Sequence, residues 1–233
     1  MPSMNDTILS IKEEATGREV AYALLGRLFE RELGVEDALS IGGGEGGHAL
    51  RAFAQAGIAP ESANRVAATL VACDEGLVER VAIEYARLFC GHDRIYANAS
   101  CWLSDRPRLM GDAWRDVLDC YHDEGLVPRE EDIWLADHVG AELYFASVLS
   151  GRVARSGSAN TANSFPDVLV NYLGTHVMTW IPRFFDRVAA DPRAEFYADA
   201  ARVGSEFLRV DAQMLGIDVC LAGLEGRIEE VRR

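Results

Sequence analysis

Apolar side chains return every three to four residues over most of this chain, and almost no stretch alternates in the way a strand requires. That periodicity limits the fold more than any other feature. Val20/Ala21, Leu24/Leu25, Leu28/Phe29 and Leu33 form one stripe, ended by Gly34. Ser62 to Cys73 and Glu75 to Phe89 read as two more helices, the second carrying Val78, Val81/Ala82, Tyr85 and Leu88/Phe89 until Gly91 stops it. Arg108 to Tyr121 is another, with Pro107 at a first-turn position and Gly125 beyond its end. In Asp132 to Leu149, the acids Glu130, Glu131 and Asp132 crowd the first turn, where exposed N–H groups favour carboxylates. Leu135, Val139, Leu143, Ala146 and Leu149 then give an inward stripe, with Asp137 and His138 beside it. Ser164 opens a long helix through Leu169, Leu173, Val177 and Ile181 that Pro182 kinks or ends, and Pro192 to Leu215 is the last. The predicted fold class is all-α, a helical bundle.

Two joints interrupt the pattern. Gly42-Gly43-Gly44-Glu45-Gly46-Gly47 is too flexible for a helix interior and reads as a loop. Ser156 to Ser164 is a polar linker.

A chain of 233 residues, 49% hydrophobic, buries roughly 70–75% of its unfolded surface and builds a sizeable core. Its net charge is −14, and Lys12 is the one lysine. Such a surface repels phosphate, so neither nucleic acid nor an anionic membrane is an expected partner, whereas a basic peptide is attracted. The five cysteines are odd in number and form no CxxC, which fits reduced thiols in the cytoplasm. The N-terminal residues lack the apolar core of a secretory signal, and the longest stretch free of charged residues, Val168 to Pro182, is too short and polar to span a bilayer. The expectation is a cytoplasmic protein without stable membrane insertion.

Several motifs invite catalytic readings. Gly42-x-Gly44-x-x-Gly47 has dinucleotide spacing, but Val35 to Ser40 is not the strand that must precede it, and the GKS or GKT of a phosphate loop is absent. His92-Asp93 and His122-Asp123, with His48 and Asp137, suggest the alternative of an HD-type metal-dependent phosphohydrolase. Cys90-x-His92 with Cys120-x-His122 suggests zinc. Neither set has standard ligand spacing, so no metal and no cofactor is expected. Asp137-His138 as a catalytic dyad lacks a nucleophile motif. On spacing alone His138 reads as a packing residue, bonded to Glu142 one turn on or to a backbone carbonyl. Tyr85, Trp102, Tyr144 and Trp180 read as core aromatics, although Tyr96 and Trp102 fall in a connecting segment where packing is less obligatory. A helical scaffold subunit is the remaining alternative.

Four blocks in series resemble the TorD/DmsD/NarJ family of cytoplasmic maturation chaperones for molybdenum enzymes. Glu84-Tyr85-Ala86-Arg87-Leu88-Phe89-Cys90-Gly91 is similar to the family's E-(Y/aromatic)-x-x-L-F-x-G, and Ser100-Cys101-Trp102-Leu103 with Leu109-Met110-Gly111-Asp112 to its S-x-(Y/W)-L…L-M-G. Ala136-Asp137-His138-Val139-Gly140-Ala141-Glu142-Leu143-Tyr144-Phe145 is similar to (P/A)DHxGxELxF, and His176 to Phe184, with Trp180 and Pro182, to H-L-x-x-W-x-P-x-F. Phe196-Tyr197 is similar to the F-Y opening the family's last long helix. The family's proline-rich loop is missing, since residues 92–106 contain no proline. The resemblance implies a non-enzymatic chaperone that binds the twin-arginine signal peptide of a molybdopterin-containing catalytic subunit, of the dimethyl sulfoxide or trimethylamine N-oxide reductase kind. Export is then delayed until cofactor is inserted. It implies a larger N-terminal bundle (1–155) carrying a peptide site at Tyr85, Trp102, Asp137, His138 and Glu142, a hinge at 156–164 and a smaller C-terminal helical part (165–233), together one domain, in a monomer or a dimer that exchanges its two parts.

Overall fold

The computed structural model describes residues 4–72, 74–106, 108–130, 132, 135–156 and 164–217. Its frame is set by α1 (Met4–Glu30) and α8 (Val139–Arg155), the most extensively packed pair of helices. Glycine is what brings them so close. A Cβ on Gly26 would stand 3.0 Å from the Gly140 carbonyl oxygen, and one on Gly140 only 2.7 Å from the Glu30 Cα. Beside this contact Leu25, Leu28 and Phe29 of α1 and Val139, Leu143, Ala146 and Leu149 of α8 are buried in one apolar cluster.

The remaining helices wrap this pair. They are α2 (Val35–Gly43), α3 (Glu45–Gln55), α4 (Pro60–Val71), α5 (Glu75–Tyr85), the single turn α6 (Ala99–Trp102), α7 (Asp112–Asp123), α9 (Ser164–Tyr172), α10 (Met178–Ala189) and α11 (Phe196–Leu215). α5 runs on into a wide, π-type turn over Ala86–Cys90, and a second one, Leu173–Val177, joins α9 to α10. No strand occurs among the described residues; a lone antiparallel bridge joins Asn98 to His138. The chain is all-α, as its periodicity predicts.

α11 ties the late residues to the early ones. It packs on α10, α4, α5 and α1, and the hydrophobic cluster runs without a break across both sides of the 157–163 segment. Inside it, Arg18 Nε donates to Asp211 Oδ1 at 2.5 Å and the Tyr22 hydroxyl donates to Asp211 Oδ2 at 2.7 Å. The Glu84 carboxylate of α5 accepts the N–H groups of Glu195, Phe196 and Tyr197 at 2.8, 3.1 and 2.8 Å. A helix leaves its first N–H groups unpaired, so Glu84 caps α11 from a different helix. Two of the sequence blocks, Glu84-Tyr85 and Phe196-Tyr197, are thereby joined.

Several boundaries differ from the sequence reading. The glycine run is not a loop: it is helical on both sides of Gly44, and Gly42, Gly46 and Gly47, unlike Gly43, are small for packing. A Cβ on Gly47 would lie 2.0 Å from the Gly42 oxygen, and one on Gly42 2.9 Å from the Leu70 carbonyl carbon. α7 begins at Asp112 instead of Arg108, after a left-handed residue at Met110 (φ 55°). α10 passes through Pro182, and the π-type turn ends at Val177, just before Met178, whose carbonyl the proline cannot bond. The last helix starts at Phe196, not Pro192, because Asp191 holds a turn there, accepting the Arg193 N–H at 3.0 Å. Cys73, Pro107, Glu131, most of the 156–164 hinge and residues 218–233, with Cys220, lie outside the described residues.

Candidate functional site

The helix expected from Asp132 begins at Val139 instead. The cause is local. Residues 97–99 come alongside 137–139, where the Ala99 N–H donates to the Asp137 carbonyl at 2.9 Å and the Val139 N–H to the Ala97 carbonyl at 2.8 Å. These bonds claim backbone groups that a longer helix would need. His138 then serves as the N-cap of α8, its Nδ1 accepting the Gly140 N–H at 3.2 Å.

Asp137 and His138 therefore do not lie beside an apolar stripe. Asp137 and Glu142 are 0% exposed, and His138 is 8% exposed. Both oxygens of Asp137 are engaged, Oδ1 by Asn98 Nδ2 at 3.1 Å and Oδ2 by the Ser100 N–H at 2.9 Å. The side chain thus caps α6, the one-turn helix that carries Trp102. Ser100 extends the chain of contacts, since its Oγ accepts the Gly111 N–H at 3.0 Å, fixing the far end of the 103–110 segment.

Burial pushes the His138 imidazole down to about 4, against the opposing pull of Asp137, so the ring is neutral and Nδ1 is free to accept. Glu142 does not bond His138 as the spacing suggests. Its carboxylate accepts Trp180 Nε1–H at 3.2 and 3.3 Å, and burial raises it well above the ordinary carboxylate range, with Trp180 opposing and Asp137 adding to the rise. Tyr172 donates to the Glu142 carbonyl at 3.3 Å and Tyr121 to the Ala136 carbonyl at 2.8 Å, which fixes this turn from the α7 and α9 sides.

Tyr85 is buried on α5, its hydroxyl donating to the Glu30 carbonyl at 3.2 Å, and burial raises its pKa. Its ring packs 4.9 Å from Phe89; Phe89 lies 5.9 Å from Phe184, and Phe184 6.2 Å from Trp102. Trp102, half-buried, lies 6.4 Å from Trp180 and donates Nε1–H to the Tyr96 carbonyl at 2.7 Å. One aromatic chain thus links Tyr85, Trp102 and Glu142, while Asp137 grips the helix bearing Trp102. Near it in sequence four large apolar side chains, Tyr96, Leu103, Leu109 and Met110, are 40–47% exposed, with Asp105, Arg106 and Arg108 exposed among them and the Arg94 guanidinium 4.7 Å from the Tyr96 ring centroid. The sequence reading missed Asn98, which carried no motif, and gave no role to Ser100 and Gly111, although both stand in the resembling blocks.

The HD residues do not converge. His92, Asp93, His122 and Asp123 are exposed, and among the described residues no three His, Cys, Asp or Glu side chains are gathered to hold a metal. Cys120 contacts not His122 but His176, at 3.2 Å between Sγ and Nε2. Among the same residues no helix is long and apolar enough to cross a membrane.

A family described as the nitrate reductase delta subunit matches residues 54–186, more than half of the chain and all of the motif-bearing region from Glu84 to Phe184. The chain belongs to the TorD/DmsD/NarJ family. It is also similar to a Colwellia psychrerythraea protein named "Chaperone protein TorD", with 22% identity over 90% of this chain and 96% of that relative. As a TorD-like member of this group it falls among the chaperones of molybdoenzyme maturation. Residues of the resembling sequence blocks here tie elements together: Glu84 to Tyr197, Asp137 to Ser100, Ser100 to Gly111 and Glu142 to Trp180.

Proposed function

We propose that this protein is a non-enzymatic chaperone that binds the twin-arginine signal peptide of a molybdopterin-containing oxidoreductase and delays export until the cofactor is inserted. Its client is then the catalytic subunit of a reductase of the dimethyl sulfoxide or trimethylamine N-oxide type, met in the cytoplasm. One observation carries the reading. The buried Asp137 carboxylate fixes the helix turn that bears Trp102, and the residues flanking that turn expose four large apolar side chains, Tyr96, Leu103, Leu109 and Met110. Such a patch suits the apolar stretch of a signal, and a chain of charge −14 attracts its arginines.

Within this reading Trp102 touches the peptide along the patch, while Tyr85, Asp137, His138 and Glu142 hold the site in shape from beneath. Calorimetry with a twin-arginine signal peptide tests it. Binding is expected with a negative heat-capacity change, weakened by salt. Leu103→Asp should weaken binding about ten-fold or more while leaving the thermal midpoint unchanged, because Leu103 is half exposed. Equal binding by Leu103→Asp and the parent chain would place the peptide elsewhere.

A further inference from the structure

A cavity of about 430 Å³ opens between α1, α3 and α11, lined by none of the residues assigned above to the peptide site. Its walls are apolar: Val20 from α1, Ala52 and Phe53 from α3, and Phe207, Val210 and Met214 from α11. The back is rigid. The Phe207 ring packs 5.3 Å from Phe53 and 5.1 Å from Tyr22. Arg18 and Asp211 also line it, but they neutralise each other at 2.5 Å with the Tyr22 hydroxyl on the second carboxylate oxygen, so they present no net charge. Two further lining residues are carboxylates, Glu14 and Glu45, both exposed, Glu14 lying 3.6 Å from Arg18 Nη1, and His48 completes the opening.

Dry walls with an acidic opening specify an occupant. The volume suits one or two large apolar side chains, and Met214, unbranched and 59% exposed, can reshape around them. Arg18, shared between Asp211 and Glu14, leaves that cluster one net negative charge, and Glu45 adds a second where the occupant enters, favouring a cation beside the apolar anchor and disfavouring a carboxylate. We propose that this cavity is a second docking site, taking an apolar anchor of a partner polypeptide that bears arginine or lysine next to it. The site is separate from the Trp102 patch, so a partner can engage either alone or both together, and joint engagement would raise affinity through effective concentration.

The methionines allow a direct test, since Met214 stands in the cavity wall and Met110 on the Trp102 patch. The full chain, labelled with ¹³C at the methionine methyls, is titrated with a short amphipathic peptide of leucine and arginine, and with its counterpart carrying glutamate for arginine. The Met214 resonance should shift saturably with the first peptide and about ten-fold more weakly with the second. Ala52→Trp, which fills the cavity from an exposed wall position, should abolish the Met214 response. Glu14→Gln combined with Glu45→Gln should bring the two peptides close to equal affinity, and it provides the test if Ala52→Trp does not fold. A silent Met214 at saturating peptide, or an equal response to both peptides in the parent chain, overturns the proposal. Movement of Met110 with Met214 silent overturns it too, while leaving the signal-peptide reading intact.

Discussion

Both oxygens of the Asp137 carboxylate face donors that water does not reach, so its removal leaves the Ser100 N–H and Asn98 Nδ2 unpaired. Asp137→Ala should destabilise the fold by roughly 1–3 kcal/mol and speed amide exchange over residues 98–103, seen by mass spectrometry after denaturant titration. Asp137→Asn, which keeps one acceptor, should cost less. The neighbouring titrations oppose each other. His138 has a folded pKa of about 4 against an ordinary 6.5, so the unfolded chain takes its proton first. Its contribution to stability is complete above 6.5 and lost as pH falls toward 4, on the order of 3 kcal/mol in all. Burial of His176 acts in the same sense, so the test is differential: His138→Asn, which keeps a helix cap, should flatten the stability profile in that window relative to the parent. Glu142 has the reverse sign. Its folded pKa is raised above 4.5, so its contribution is full below 4.5 and lost as pH rises through the raised value. Glu142→Gln, which still accepts from Trp180, should therefore raise the melting temperature at pH 8 relative to the parent, with the gain shrinking toward pH 4.5. The resemblance made these residues legible as a set, but their burial was not. Histidine is an uncommon helix cap, so the helical pattern was extended back through it to Asp132.

At the scale of elements, the periodicity locates α4, α5, α7, α8, α9, α10, α11 and the second half of α1 but not α2, α3 or α6, and the start of α8 is missed where a bond from a distant segment decides the boundary. Residues 97–99, far away in sequence, stop α8 from beginning earlier, and α11 starts where the local turn at Asp191 ends and Glu84 of α5 caps its first N–H groups. Glycine was the other source of error, because a lone chain does not reveal whether a glycine is there for freedom or for closeness. Two substitutions separate these roles. Gly140→Ala would place a methyl 2.7 Å from the Glu30 Cα and force α1 away from α8, so it should destabilise by about 1–3 kcal/mol in denaturant unfolding. Gly43→Ala, at the end of α2 with nothing within 4 Å, should be stabilising by a few tenths to about 1 kcal/mol, since alanine loses less backbone freedom on folding. A loss at Gly43 equal to that at Gly140 would mean that the run needs glycine conformations and not glycine size.

The whole molecule is held by bonds that span almost its full length. The Arg18–Asp211 pair, 193 residues apart, joins the first described helix to the last inside the core, and the Ser62–Asp199 and Glu84–Tyr197 contacts repeat the link further along. The polar stretch at 156–164 is the expected hinge between two parts, and α11 beyond it packs on α1, α4 and α5. Long-range pairs of this kind are invisible to local pattern, since nothing in the spacing of Arg18 or Asp211 marks either as a partner. Breaking a buried ion pair by removing one member costs more than the pair itself contributes, because the survivor stays charged and dry. Asp211→Ala leaves Arg18 without its main partner and the Tyr22 hydroxyl without an acceptor, and should lower stability by about 3–5 kcal/mol. If helices on both sides of the linker fold as one unit, circular dichroism and the fluorescence of the four tryptophans should report the same lowered midpoint, as a two-state transition requires. Helical signal that persists after the tryptophan transition in Asp211→Ala would show instead that the two parts fold separately, with the ion pair an attachment between them.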